Sequence, residues 1–175
     1  MADRNIYYKQ AGSEDFQVLR PREKMPFHWP DVRQRRPKLC VTVDNSYPWS
    51  GSFSIERATD FSLSVRDGEN SLITIIRIEI TLEGATSLVV FKQESSQFPP
   101  YKIENFTNET LEIYQSGRRL SYSAINPRGT IPFAWEEPSA AHTIMLEIKK
   151  FQFKRPFNFD KIFSYKPIHL KDGDR

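Results

Sequence analysis

Apolar residues recur along this chain with a period of two. Leu39, Val41 and Val43 alternate with Cys40 and Thr42, and Phe61, Leu63 and Val65 alternate with Ser62 and Ser64. The longest run covers residues 72–82, with Ile76, Ile78, Ile80 and Leu82 on one side and Arg77, Glu79, Thr81 and Glu83 on the other. Successive side chains of an extended strand point to opposite faces, so this run predicts a strand with one buried and one wet face, ended by Gly84. Further strands are expected over residues 87–92, from Tyr101 and Ile103, over residues 111–115 and over residues 144–148, with Phe151 and Phe153 continuing the last alternation. Turn residues separate them, among them Asp67-Gly68, Pro99-Pro100 and Ser116-Gly117. No segment carries the period of an amphipathic helix. The expected fold class is all-β: antiparallel sheets in tandem, sandwich-like β-rich repeats, with little or no helix.

The chain also repeats itself. Tyr8-Lys9-Gln10, Pro21-Arg22, Pro26-Phe27-His28-Trp29 and Asp31 precede the alternating Leu39, Val41, Val43 and then Pro48-Trp49. In the same order come Ile113-Tyr114-Gln115, Pro127-Arg128, Pro132-Phe133-Ala134-Trp135 and Glu137, then Ile144, Leu146, Ile148 and Pro156-Phe157. The offset is 105 residues at Gln10 and 106 at Trp29, so one insertion relates the copies. A unit of this length is a small β-domain rather than a short solenoid repeat. Residues 1–58 are expected to be the later part of a preceding repeat and residues 59–175 a nearly complete second one, cut from a longer array.

The shared motif reads most simply as structure. Proline fixes φ and lacks an N–H, which suits a turn or strand edge. Phe and Trp two residues apart fall on one face of an extended chain and can pin a loop to a sheet. The acid after the Trp is expected to accept loop N–H groups or to pair with the Arg. Direct contact with a partner is the alternative role.

The stretch from Tyr101 through Asn105 to Gln115, followed by Pro127 and Pro132-Phe133-Ala134-Trp135-Glu136-Glu137-Pro138, resembles the adaptor-binding domain of the vacuolar protein sorting "thirteen" family. These are large bridge-like lipid-transfer proteins, and the domain was formerly described as a SHORT-ROOT-binding region. The resemblance is strong over residues 100–148 and extends to residues 5–57 through the repeat. It implies a run of β-rich repeats, each marked by an asparagine in an Ile-x-Asn context, here Asn105. The structural signature is then Asn105, Gln115, Pro127, Pro132, Phe133 and Trp135, with Pro21, Pro26, Phe27 and Trp29 in the first copy. The implied partners are adaptor proteins carrying short Pro-x-Pro segments, which would add as strands to a sheet edge, and the remaining repeats of the same long chain. The implied place of work is cytoplasmic, peripheral at organelle membranes and membrane contact sites. Asn105 itself is expected to bond neighbouring backbone and fix a turn.

Composition narrows the alternatives. Of 175 residues, 38% are hydrophobic and 13% aromatic, too apolar for a disordered chain. The net charge of +3 is too slight to argue for nucleic acid, which is not expected as a partner. The single cysteine, Cys40, forbids an internal disulfide and reads as a buried strand residue. The first ten residues hold no apolar signal region, and no run is long and apolar enough to span a membrane. His28, His142 and His169 lack metal spacing, and no nucleophile elbow, phosphate loop or dinucleotide fingerprint occurs. No catalytic, metal or cofactor site is expected, and Ser50-Gly51-Ser52 reads as a turn. The glycosylation triplets at Asn105 and Asn108 read as chance matches. Residues 149–166 interleave six Lys or Arg with five Phe and one Tyr. Lys149, Lys150, Lys154 and Arg155 are therefore a candidate patch for anionic membrane lipids, and a purely structural spacer role remains the other alternative.

Overall fold

The computed structural model describes residues 4–43, 48–67, 72–94, 98–160, 162 and 164–168. It is built from twelve strands: β1 (Ile6–Gln10), β2 (Gln17–Leu19), β3 (Leu39–Thr42), β4 (Thr59–Asp67), β5 (Leu72–Glu83), β6 (Thr86–Gln93), β7 (Tyr101–Glu104), β8 (Leu111–Gln115), β9 (Ser123–Ile125), β10 (Thr130–Phe133), β11 (Thr143–Ile148) and β12 (Phe153–Asn158). Two single 3-10 turns, Arg119–Ser121 and Lys149–Phe151, are the only helical elements among the described residues. The all-β class read from the alternation is the one observed.

The chain forms two compact units. The first comprises residues 1–101 and 133–139, the second residues 102–132 and 140–175. In the first unit, a sheet of order β2-β1-β3 and a sheet of order β4-β5-β6 share one core. Ile6, Tyr8, Leu39 and Val41 meet Leu63, Val65, Ile76, Ile78 and Ile80 there, joined by Phe53, Ile55 and Phe91. These are the inward positions of the period-two pattern. Their opposite numbers form a wet face, where Lys92 Nζ lies 2.5 Å from Glu79 and Arg77 pairs with Asp60. Glu83 sits opposite Thr86 across a two-residue connection that begins with Gly84 at φ 62°, the conformation that stops β5.

In the second unit, a sheet of order β12-β11-β8-β9 buries Leu111, Ile113, Ile125, Ile144 and Ile148. A two-stranded sheet of β7 and β10 completes the list of ladders.

The two units use one wiring. In each, a central strand (β1 or β8) is flanked by a short strand on one side and a strand following the Trp motif on the other. Tyr8 pairs with Val41 and Ile113 with Leu146, so both partners move by 105 residues. The turn after the short strand is also shared. Glu23 N donates to Arg20 O (3.1 Å) and Gly129 N to Asn126 O (2.9 Å), closing turns over Pro21-Arg22 and Pro127-Arg128. Arg22 and Arg128 both have positive φ, 64° and 60°, the angle that a type II turn requires after its proline.

Three expectations differ from the structure. Leu82 does not join the core face but is 49% exposed. Strand β4 begins at Thr59, opposite Ile80, so β4 does not reach the last three positions of β5. Phe151 does not continue the β11 alternation. The chain makes a 3-10 turn there, and Gln152 at φ 49° re-enters the sheet as β12. Ser50-Gly51-Ser52 is not a turn but an extended segment beside β3. Ser50 N donates to Val41 O and Phe53 exchanges two backbone bonds with Leu39. His169 and Gly68 lie outside the described residues.

Candidate functional site

The Phe-x-Trp pairs pack edge to face in both copies. Phe27 and Trp29 have ring centroids 5.0 Å apart at 80°, Phe133 and Trp135 5.1 Å apart at 89°. Tyr8 meets Phe27, and Tyr101 meets Phe133 and Trp135. Phe133 and Trp135 are buried, whereas Phe27 and Trp29 are half-buried. Trp135 also bridges the outer side of β4, next to Leu63, with Ser64 N donating to Trp135 O (3.0 Å). The prolines of the motif, Pro21, Pro26, Pro127 and Pro132, all leave their rings exposed or half-exposed around these clusters. Of the acids after the Trp, Asp31 Oδ1 accepts the Arg33 N–H, and Glu136 makes an ion pair with Arg66 (3.4 Å). Arg22 and Arg128 do not pair with them: Arg128 donates to Asn108 instead.

Gln10 closes β1 and clamps the loop after Trp29. Its Nε2 donates to Asp31 O (2.9 Å) and lies 2.6 Å from Gln34 Oε1, while its Oε1 accepts Asp31 N–H (2.9 Å). The side chain is 1% exposed, so these bonds are made in a dry setting. Gln115 ends β8 at the equivalent place and is equally buried. Gln10→Leu keeps the volume but leaves the Asp31 N–H and C=O without their partners. The expected cost is about 2 kcal/mol, with faster amide exchange of residues 31–34 by mass spectrometry.

Asn105 is 1% exposed and ties two turns together. Its Nδ2 is 2.8 Å from Glu109 O, 3.1 Å from Ile125 O and 3.0 Å from Asn126 O. Its Oδ1 accepts from Thr107 N (3.0 Å) and Thr107 Oγ1 (2.7 Å), and its backbone N–H donates to Gly129 O (2.9 Å). The amide is fully committed to protein groups, which also leaves no room for a glycan there.

The basic and aromatic stretch spends its charge internally. Lys149 Nζ lies 2.6 Å from Glu112 and Lys150 Nζ 2.7 Å from Glu109. The hydrogen bond to Glu112 holds the Lys149 ammonium above its ordinary pKa. Lys154 sits over the Tyr114 ring and Arg155 over Phe157 and Tyr165. Lys149 and Lys150 stand on the 3-10 turn and Lys154 and Arg155 on β12, and all four face partners of the same unit.

Sheet edges differ in what covers them. The outer side of β3 takes Phe53, and that of β4 takes Trp135. Strand β12 contains Pro156, which offers no N–H, and β2 and β9 are three residues long. Strand β6 is different. Glu94 N donates to Ile75 O, and hydrogen-bonded pairs alternate along an antiparallel ladder. Ser87, Val89, Phe91 and Gln93 therefore turn their N–H and C=O groups outward. Among the described residues nothing pairs with this edge.

A family model, the adaptor binding domain of vacuolar-sorting associated protein 13, matches residues 2–142. The chain belongs to the VPS13 adaptor binding domain family. A human relative, intermembrane lipid transfer protein VPS13D, is 31% identical over 79% of this chain and 3% of its own length. Intermembrane lipid transfer protein vps13E of Dictyostelium discoideum is 30% identical over 78% of the chain and 4% of its own length. VPS13 of Chaetomium thermophilum is 26% identical over 81% and 5%. The chain thus spans a small part of the relatives it matches. The match to the VPS13 adaptor binding domain covers Asn105 and both copies of the clasp.

Sequence reading missed the β6 edge and the bonds of Gln10. The first needs the sheet order, which alternation does not give. The second had a signal, since Gln10 and Gln115 occupy one position of the repeat. Four strands, β1, β2, β9 and β10, carry no expectation from sequence, and β12 is expected only as a continuation of β11. Each of the four is five residues or fewer and lacks a long alternation.

Proposed function

We propose that this chain is a non-catalytic interaction module of a VPS13 adaptor binding domain, and that it takes an extended adaptor segment containing Pro-x-Pro on the free edge of β6. In this reading residues 1–58 close a preceding repeat and residues 59–175 form a nearly complete second one. The observation that supports it is the outward row of backbone groups at Ser87, Val89, Phe91 and Gln93 on an eight-residue, proline-free edge. Main-chain bonds along that row supply affinity, and the half-buried side chains between them supply choice. Through such adaptors the module would place a long lipid-transfer chain peripherally at organelle membranes. No helix among the described residues is long and apolar enough to cross one.

Calorimetric titration of the chain with a Pro-x-Pro peptide, paired with amide exchange, tests this. Saturable binding with protection at Ser87, Val89 and Phe91 is expected. Ser87→Pro removes one outward N–H without touching a bond to β5, and should weaken binding roughly tenfold. Binding left intact by that change would place the peptide elsewhere. Binding by a longer array but not by this chain would favour the second reading, a spacer repeat, which the shared wiring of the two units supports.

A further inference from the structure

The loop that Gln10 clamps carries a cationic surface that the clasp does not use. Residues 33–38 read Arg-Gln-Arg-Arg-Pro-Lys. Gln10 holds the start of the loop through Asp31 and Gln34, and Ala11 N donates to Lys38 O (2.8 Å) at its end. Both ends are thus fixed on two adjacent residues, Gln10 at the end of β1 and Ala11 just after it. Arg33, Arg35 and Arg36 are held on a compact loop, within about one Debye length of one another. All three are exposed, and among the described residues no ion pair joins any of them to a carboxylate. The only acid inside the loop, Asp31, accepts a backbone N–H. Glu14 and Asp15 lie in the turn leading to β2, which flanks β1 on the side away from β3, and neither makes an ion pair with the arginines. Val32, next to Arg33, is 83% exposed.

The fold does not require this charge. The corresponding stretch of the second copy, residues 137–143, reads Glu-Pro-Ser-Ala-Ala-His-Thr and holds no Lys or Arg. The same clasp and the same strand order are built there without it. The cations of residues 149–155, by contrast, are paired or stacked.

We infer that the 31–38 loop is a docking surface for the anionic face of a lipid bilayer. It is a site separate from the β6 edge. Three unpaired guanidinium groups on a pinned loop provide attraction to lipid phosphates, and the exposed Val32 beside them enters the headgroup layer. The loop has no aromatic ring on which a base could stack, which disfavours single-stranded nucleic acid. It presents no sheet edge or groove to hold an acidic peptide in one register.

Sedimentation of the whole chain with phosphatidylcholine vesicles, with and without phosphatidylserine, tests the inference. Binding should require phosphatidylserine and fall steeply with added salt. Each cation near an anionic surface contributes about a fivefold factor, so Arg33→Gln, Arg35→Gln and Arg36→Gln together should weaken binding on the order of 100-fold. The triple variant should melt like the parent, because the exchanged groups make no side-chain bonds. Lys149→Gln, Lys150→Gln and Lys154→Gln together should leave vesicle binding within about twofold, since those charges are already engaged. Val32→Trp should tighten vesicle binding and leave binding to soluble polyglutamate unchanged, which separates a bilayer from an acidic peptide. Equal binding to neutral vesicles, an unaffected triple variant, or a Val32→Trp gain for polyglutamate as large as for vesicles would each overturn it.

Discussion

Asn105→Ala should cost about 4 kcal/mol and lower the melting midpoint by roughly 10 °C. The estimate comes from what the amide leaves behind. Three carbonyl oxygens, those of Glu109, Ile125 and Asn126, lose their shared donor, and the Thr107 N–H loses its acceptor. The site is 1% exposed, so water does not take over without opening the two turns. Asn105→Ser should behave almost as badly, because the shorter hydroxyl cannot span both turns. Asn105→Asp gives a sharper result. It places an acceptor where three carbonyls converge, so the folded state favours the protonated acid, which can still donate. The folded pKa is then raised above the unfolded one. Stability is fully present below the unfolded carboxylate pKa and is lost as pH rises through the folded value. Denaturant titration at several pH values reads this directly, and a pH-independent Asn105→Asp would remove the donor role assigned to Nδ2.

Gly51→Ala is the second large effect, about 3 kcal/mol or more. A Cβ at this position would stand 2.5 Å from Glu137 Cβ, 2.6 Å from Glu137 Cα and 2.7 Å from Glu136 O. Two of the three are backbone atoms, so no flexible side chain can move aside. The segments must part, and the bond from Gly51 N–H to Glu136 O (2.8 Å) goes with them. Strain in φ is not the cause. Gly117 supplies the contrast, with φ 85° and nothing within 4 Å of an added Cβ. Gly117→Ala should cost about 1 kcal/mol, from backbone conformation alone. Equilibrium unfolding of the two variants side by side decides the matter: equal losses would mean that the approach of residues 51 and 136–137 is looser than described.

The two glycines show where sequence is informative. Ser116-Gly117 announced a turn, and a turn is there. Ser50-Gly51-Ser52 carries the same local chemistry, but its glycine answers to the backbone of residues 136–137, far along the chain. Alternation located β5 and its inward isoleucines because periodicity is a local property. It misjudged Leu82, since burial at a strand end depends on how far the neighbouring strand reaches. The Asn105 signature was visible through resemblance to a family, and its backbone role follows from the chemistry of a short amide. The unpaired arginines were equally visible as a run of charge. The aromatic stretch at residues 149–166 is the more conspicuous run, and only the partners Glu112, Glu109 and Tyr114 reveal that its charge is already engaged.

The left-handed arginines of the two Pro-Arg turns have a consequence for how such a chain can change. At Arg22 and Arg128 the backbone passes through the same angle, leaves the same kind of short strand and enters the same Pro-Phe-x-Trp segment. A recombination event that joined the residue before one turn to the residue after the other would meet the same backbone direction and the same turn-closing bond at the seam. Deletion or duplication of one period there yields a chain whose turns still close. Copy number in this architecture is therefore a quantity that genetics can adjust in whole steps, with each step arriving already folded at its joint.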